Sequence, residues 1–355
     1  MDLFGDLPEP SKDGQSLYDD LSVQSQTVKG ASGPQKRNAD SADLSSTQDD
    51  KTSKIKTSVK FKLKGFYKER RGEREEMQDA HVIIDDYTKE FSKLDPSVYR
   101  LAIFAVYDGH AGSRASRFAS QNLHKYLRDK FPKGDVITIE KDIKKILIET
   151  FKKTDDDFLK QATKSKPVWK DGTTATVILA INETLYIASL GDSQILFYRL
   201  FLCRYKEETK KCSPIHLTTV HDPSLYEERM RIQKAGGHVQ EGRVMGALEV
   251  SRSIGDGPYK NHGVSCVPDV KKCQLTQGDR YIVLACDGLW KKFKPEDCIA
   301  FTNTILEDST IQGTDDKSAD DLRYETACNR LANEAVLRLS ADNVTVLIIA
   351  IQPDK

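Results

Sequence analysis

Three apolar runs of this chain end in aspartate with a glycine beside it: AVYDGH (105–110), IASLGDS (187–193) and LACDGL (284–289). A fourth aspartate, Asp342, stands just before the last apolar run, VTVLIIAI (344–351). One Asp-Gly pair after a strand is an ordinary turn. Four aspartates at such places are more than turns require. Carboxylates gathered at one rim of a sheet repel one another unless a cation lies among them. A donor set of oxygens without His or Cys selects a hard divalent ion, Mg²⁺ or Mn²⁺. Two such ions about 3.5–4 Å apart deprotonate a shared water and hold a phosphoryl group for in-line attack. The segment RGEREEMQDAH (71–81) adds Arg74, four residues ahead of the Gln78-Asp79 pair. A guanidinium there would bind two phosphoryl oxygens at once.

These residues need elements to hold them. Strand-like runs cover 81–84, 101–107, 173–181, 184–190, 194–199, 280–286 and 344–351. The alternating segment SVKFKLK (58–64) reads as a half-buried edge strand whose lysines discourage edge-to-edge pairing. Helical patterns cover 113–130, 139–162, 225–235, 295–307 and 320–338. The first places Ala115, Phe118, Ala119, Leu123 and Leu127 on one face. Pro and two acids open the helix that starts at 295. The charged helix at 225–235 reads as solvated, and the polar stretches 201–214 and 306–319 read as surface loops. Consecutive strands between helices predict an α+β fold with an antiparallel core.

The chain has 355 residues, 54 Lys+Arg and 54 Asp+Glu. Zero formal charge argues against a general polyanion binder, so neither nucleic acid nor a membrane surface is expected as partner. Hydrophobic residues make up only 38%, because residues 1–50 are polar and hold ten acids against four bases. We expect a disordered acidic tail over 1–55 and a globular domain over 58–353. Two apolar islands in the tail, LFGDL (3–7) and LYDDL (17–21), have the form of short docking peptides. The start lacks a secretory signal, and no apolar run is long enough to span a bilayer. The seven cysteines include no CxxC pair, which fits free thiols in a reducing compartment. The expected place is the cytoplasm, with entry to the nucleus also allowed.

Seven blocks occur in one order: REEMQDAH (74–81), FAVYDGHAG (104–112), DGTTAT (171–176), GDS (191–193), SRSIGD (251–256), LACDGLW (284–290) and ADNVT (341–345). In these blocks the chain resembles the metal-dependent serine/threonine protein phosphatases of the 2C type, over about residues 60–352. The resemblance implies a four-layer α/β/β/α sandwich, two antiparallel sheets face to face with helices outside. It implies two Mg²⁺ or Mn²⁺ ions held by Asp108, the Gly109 carbonyl, Asp287 and Asp342. It gives Asp79 a metal-bound water, Arg74 the substrate phosphate, and His110 the proton for the departing serine or threonine oxygen. Gln78, Asp192 and Asn343 would stand behind these. Arg243 and His238 would border the cleft, and Trp290 would belong to the core. Phosphorylated proteins follow as substrates. The tail opening MDLFGDL and the stretch GEREEMQDAH resemble one branch of the family, which implies integrin-linked kinase as a partner.

Four positions depart from the family pattern. Gln78 replaces an acid, which would weaken one ion. Ala111 replaces glycine, with strain of about 1 kcal/mol if its φ is positive. Gln194 replaces arginine. Lys291 replaces an acid four residues after Asp287 and makes a third ion doubtful. These departures motivate a second hypothesis, a catalytically weak or inactive scaffold on the same fold. Calorimetric titration with Mn²⁺ separates the two. A phosphoryl-transfer enzyme for nucleotides ranks last, since no GxxxxGK[ST] loop occurs.

Overall fold

A computed structural model describes residues 60–191 and 199–353. The second of the chain's two units begins at Thr57 and holds every element below. The tail, its two islands, Asp192 and Gln194 lie outside the described residues.

One sheet contains β1 (Phe61–Arg70), β6 (Leu200–Lys206), β7 (Lys211–His216), β9 (Asp279–Ala285) and β10 (Val344–Pro353), in the order β1-β10-β9-β6-β7. The other contains β2 (Ala80–Ile84), β3 (Leu101–Tyr107), β4 (Ala175–Ile181), β5 (Thr184–Leu190) and β8 (Asp269–Gln274), in the order β8-β5-β4-β3-β2. All these pairings are antiparallel.

Alternation along the strands produces the layers. Ala102, Phe104 and Val106 of β3 meet Ile282 and Leu284 of β9 and Leu347 and Ile349 of β10 between the sheets. The opposite residues of β3, Leu101, Ile103, Ala105 and Tyr107, pack under helices α1 (Arg114–Lys130) and α2 (Val136–Lys164). Val344, Val346 and Ile348 of β10 pack under α5 (Pro295–Leu306) and α6 (Ala319–Leu337). Burial on both faces explains why β3, β4 and β10 read as unbroken apolar runs. The expected four-layer sandwich is the observed one.

Two expectations for the elements need correction, and a third lies mostly outside the described residues. The stretch 201–214 is no loop: β6 and β7 form a hairpin through it, with its exposed turn at 207–210. Phe201 and Cys203 face the helices and Leu200 and Leu202 face the other sheet. The strand expected at 194–199 falls mostly outside the described residues, and Arg199 is a bend before β6. The first strand extends well past 64, to Arg70, as the edge partner of β10.

At the end of α6, Leu339 has φ 64° and is 79% exposed. The Leu339 and Ser340 N–H groups bond back to Val336 and Ala335 at 2.8 and 3.0 Å, so this is the helix-stop position that glycine fills best. A branched side chain in this conformation costs about 1–2 kcal/mol, and glycine returns about 0.5–1 kcal/mol through the unfolded chain. Leu339→Gly is therefore expected to raise stability by up to about 1 kcal/mol in urea unfolding. A loss of stability would show that the exposed leucine packs on something instead.

Candidate active site

The two sheets end together at one rim. There β3 runs into Asp108, β9 runs into Asp287 at the start of the one-turn helix α4 (Asp287–Trp290), Asp342 precedes β10 and Asp79 precedes β2. Arg74 lies in the connection between β1 and β2. Thr345 Oγ1 donates to Asp79 Oδ2 at 2.6 Å and so links the sheets at this rim. Beyond β3, Gly109-His110 pairs with Gly172-Thr173, which pairs in turn with Ile254-Gly255. This short ladder brings the blocks at 108–110, 171–173 and 254–256 side by side.

A cavity of about 570 Å³ opens at the rim, and Arg74, Gln78, Asp108, Gly109, His110, Arg243, Asp287, Lys291 and Asp342 line it. A larger groove of about 750 Å³ lies between the β6–β7 hairpin and helices α5 and α6. None of the residues lining that groove comes from the seven blocks, so the chemistry belongs to the smaller cavity.

The carboxylates already have cationic neighbours. Arg199 donates to Asp108 Oδ2 at 2.7 Å. Lys291 Nζ lies 2.9 Å from Asp287 and 3.1 Å from Asp342. Arg74 lies 3.0 Å from Asp342. Burial opposes the charge of Asp108, but the Arg199 guanidinium outweighs it and holds the carboxyl below its ordinary value. Burial, then the charge of Asp108, push Asp79 well up, and the same two causes raise Asp287.

Among the described residues no three acidic, imidazole or thiolate groups close around a single point. Arg199 and Lys291 stand among the aspartates instead. The donor set nevertheless fits a hard divalent cation. It is all carboxylate and carbonyl oxygen, and the charge of Asp108 opposes ionisation of both Asp79 and Asp287. Asp79 Oδ1 is buried without a hydrogen-bond partner, the kind of orphan atom that a bound water or ion satisfies.

Gly109 has no room for a side chain, since a Cβ would come within 2.2 Å of the Gln78 carbonyl. Gln78 lines the cavity, and its Nε2 donates to Glu76 at 3.1 Å. Asn343 has a definite task. Its Oδ1 accepts from Gln78 N at 2.8 Å, and its Nδ2 donates to the Arg71 and Glu76 carbonyls at 2.8 and 3.1 Å. Those three bonds fix the loop that carries Arg74. Ala111 has φ 56°, the conformation anticipated for it. Arg243 lines the cavity and bonds the Ala247 carbonyl and Glu249. His238 is not among the lining residues. Trp290 is buried, with Nε1 donating to the Ala285 carbonyl at 3.0 Å.

The sequence did not single out Arg199, Asp256 or Glu228. Asp256 closes the SRSIGD block, and its Oδ2 lies 2.7 Å from His110 Nε2. Burial disfavours the charged imidazole, but the Asp256 carboxylate outweighs it and raises the His110 pKa. Glu228 belongs to α3 (Tyr226–Lys234), the helix read as solvated, yet it is only 3% exposed. It is buried because two guanidinium groups neutralise it. Arg231 reaches it at 2.8 Å and Arg252 at 2.6 Å, and Ser251 donates to it as well. Arg252 also bonds Asp269 at 2.9 Å. This cluster ties α3 to Ser251 and Arg252 at the start of the SRSIGD segment, directly after the cavity-lining residues 247–250.

A sandwich of antiparallel sheets with acids from several strand ends at one rim, an arginine beside them and a histidine behind defines a class of phosphate-ester hydrolase. The chain belongs to the protein phosphatase 2C family, whose model matches residues 64–344. It is a serine/threonine protein phosphatase, and its family is metal-dependent. It is 52% identical, over 99% of this chain and the whole of the relative, to the integrin-linked kinase-associated serine/threonine phosphatase 2C of Bos taurus. The Homo sapiens protein of the same name is 51% identical over 99% of this chain and all of its own length. The crystal structure of a serine-threonine phosphatase 2C from Toxoplasma gondii has the same fold, with a TM-score of 0.62 and 18% identity over 82% of this chain and 95% of that one.

Proposed function

We propose that this phosphatase hydrolyses phosphoserine and phosphothreonine in proteins by direct attack of water, with no covalent phosphoenzyme. The convergence of Asp108, Asp287, Asp342, Arg74 and His110 on one cavity carries this reading. Asp108, the Gly109 carbonyl, Asp287 and Asp342 would hold two Mg²⁺ or Mn²⁺ ions. When bound, such ions supply a nucleophile at neutral pH and neutralise developing phosphoryl charge.

The protein's own groups do the rest. Arg74 exchanges its contact with Asp342 for two phosphoryl oxygens, a match to the planar fork of the guanidinium. Asp79 offers its unpartnered Oδ1 to orient a water. Arg243, fixed by Ala247 and Glu249, borders the entrance and contacts the peptide. Lys291 supplies positive charge where a third ion would otherwise bind, and this argues for two ions rather than three. No cysteine is needed as nucleophile, and none of the seven lines the cavity.

The test is hydrolysis of a phosphoserine peptide by the full chain. Activity is expected to disappear in a chelator and to return with Mn²⁺ or Mg²⁺. Turnover that persisted in chelator would remove the metal from the reading.

His110 would protonate the departing alkoxide, a poor leaving group, through Nδ1. That nitrogen bonds nothing among the described residues. A positioned acid contributes about 10²–10⁴-fold. His110→Gln is therefore expected to lower phosphoserine turnover by about 10²-fold, and p-nitrophenyl phosphate turnover far less, because nitrophenolate leaves without a proton. Its raised pKa keeps the imidazole charged at higher pH than an ordinary histidine, so the alkaline limb of activity, where the donor loses its proton, is expected at higher pH.

The name of these relatives supports a role in kinase signalling, with integrin-linked kinase as partner.

A further inference from the structure

Three observations meet behind His110. The Asp256 carboxylate is 1% exposed and lies 2.7 Å from His110 Nε2. Asp256 has φ 52°, a strained backbone for a residue other than glycine. Gly172 sits against both side chains: a Cβ there would fall 2.2 Å from Asp256 Oδ2 and 2.3 Å from His110 Nε2. The Asp256 N–H bonds the Asp171 carbonyl at 3.0 Å, and the ladder through Gly172-Thr173 fixes the spacing of the two residues. Strain, burial and a missing side chain all serve one contact.

We infer that Asp256 is a positioning residue for proton transfer: it grips His110 by Nε2 and so leaves Nδ1 as the nitrogen that protonates the leaving oxygen. The inference rests on the reading of His110 as the proton donor and extends it. In the step, the oxygen of the attacking water bonds to phosphorus as the bond between phosphorus and the serine oxygen breaks, and the electron pair of the broken bond stays on the serine oxygen. The proton passes from Nδ1 to the oxygen. The imidazole is left neutral, with Nε2–H still donating to Asp256. A buried carboxylate behind a histidine fixes its tautomer and its ring plane, which catalysis by a ring nitrogen requires.

The experiment compares His110→Gln, Asp256→Asn, Gly172→Ala and the His110→Gln/Asp256→Asn double variant in the full chain with saturating Mn²⁺. The substrates are a phosphoserine peptide and p-nitrophenyl phosphate, and kcat is read for each. Asp256→Asn keeps side-chain size, and asparagine tolerates the left-handed backbone. It is expected to lose at least about tenfold more kcat on phosphoserine than on the aryl phosphate. Gly172→Ala, which parts the pair by steric means, is expected to discriminate in the same direction. In the double variant the second change adds little, since both act through one proton. Equal losses on both substrates in Asp256→Asn, or additive losses in the double variant, would overturn the inference while leaving His110 as donor. Absence of discrimination in His110→Gln would overturn both.

Discussion

Asp108→Asn is expected to reduce phosphopeptide hydrolysis by at least about a thousandfold, with the fold intact. Asp108 sits where both halves of the acid set meet. Its charge raises the pKa of Asp79 and of Asp287, so it is the carboxylate the others sense. Asparagine preserves its shape, and the Asp108 carbonyl still accepts from Thr174 N at 3.0 Å. The lost ion pair with Arg199 lowers stability, and the relieved repulsion with Asp79 and Asp287 raises it. These opposed effects leave a small net change in thermal midpoint. The measurement pairs phosphopeptide kinetics with circular-dichroism melting and a calorimetric Mn²⁺ titration. Activity within tenfold of the parent, with unchanged Mn²⁺ binding, would remove Asp108 from the site.

The second large effect concerns stability. Glu228→Ala is expected to destabilise the domain by about 3–5 kcal/mol, since removing one member of a buried ion pair strands its partners. Arg231 and Arg252 would both lose their carboxylate. Burial raises the pKa of Glu228, but the hydrogen bonds from Arg231, Arg252 and Ser251 prevail and lower it from 4.5 to about 2. A carboxyl whose pKa is lower when folded stabilises above the unfolded value and loses that contribution as pH falls. The stability difference between parent and Glu228→Gln should therefore be full above pH 4.5 and shrink toward pH 2. Urea unfolding across that range checks it. A difference that does not vary with pH would mean the glutamate acts by packing alone. Because the cluster holds Ser251 and Arg252, directly after the cavity-lining residues 247–250, KM for a phosphopeptide should rise as well.

Much of this was legible beforehand, for identifiable reasons. Strands with both faces covered must be apolar throughout, so β3, β4 and β10 declared themselves. Acids that end such strands stand out against them, and so Asp108, Asp287 and Asp342 could be named together. What escaped notice depends on partners distant in sequence. Glu228 looks solvated until Arg252 is brought beside it. Asp256 looks like the end of a turn until the three-rung ladder sets it against His110. Strand β8 alternates only weakly, with Lys271 and Lys272 exposed on a sheet edge, so it was not among the strands read from the pattern. The β6–β7 hairpin was obscured by a charged tip that outweighed the four apolar residues at the start of β6.

Strand β10 is threaded between β1 and β9 although it is the final element of the described chain. During synthesis, β1 and β9 therefore emerge long before the strand that joins them. Until residues 344–353 are made, β1 lacks the strand it pairs with, and a chain shortened upstream of Val344 would lose the strand that joins β1 to β9.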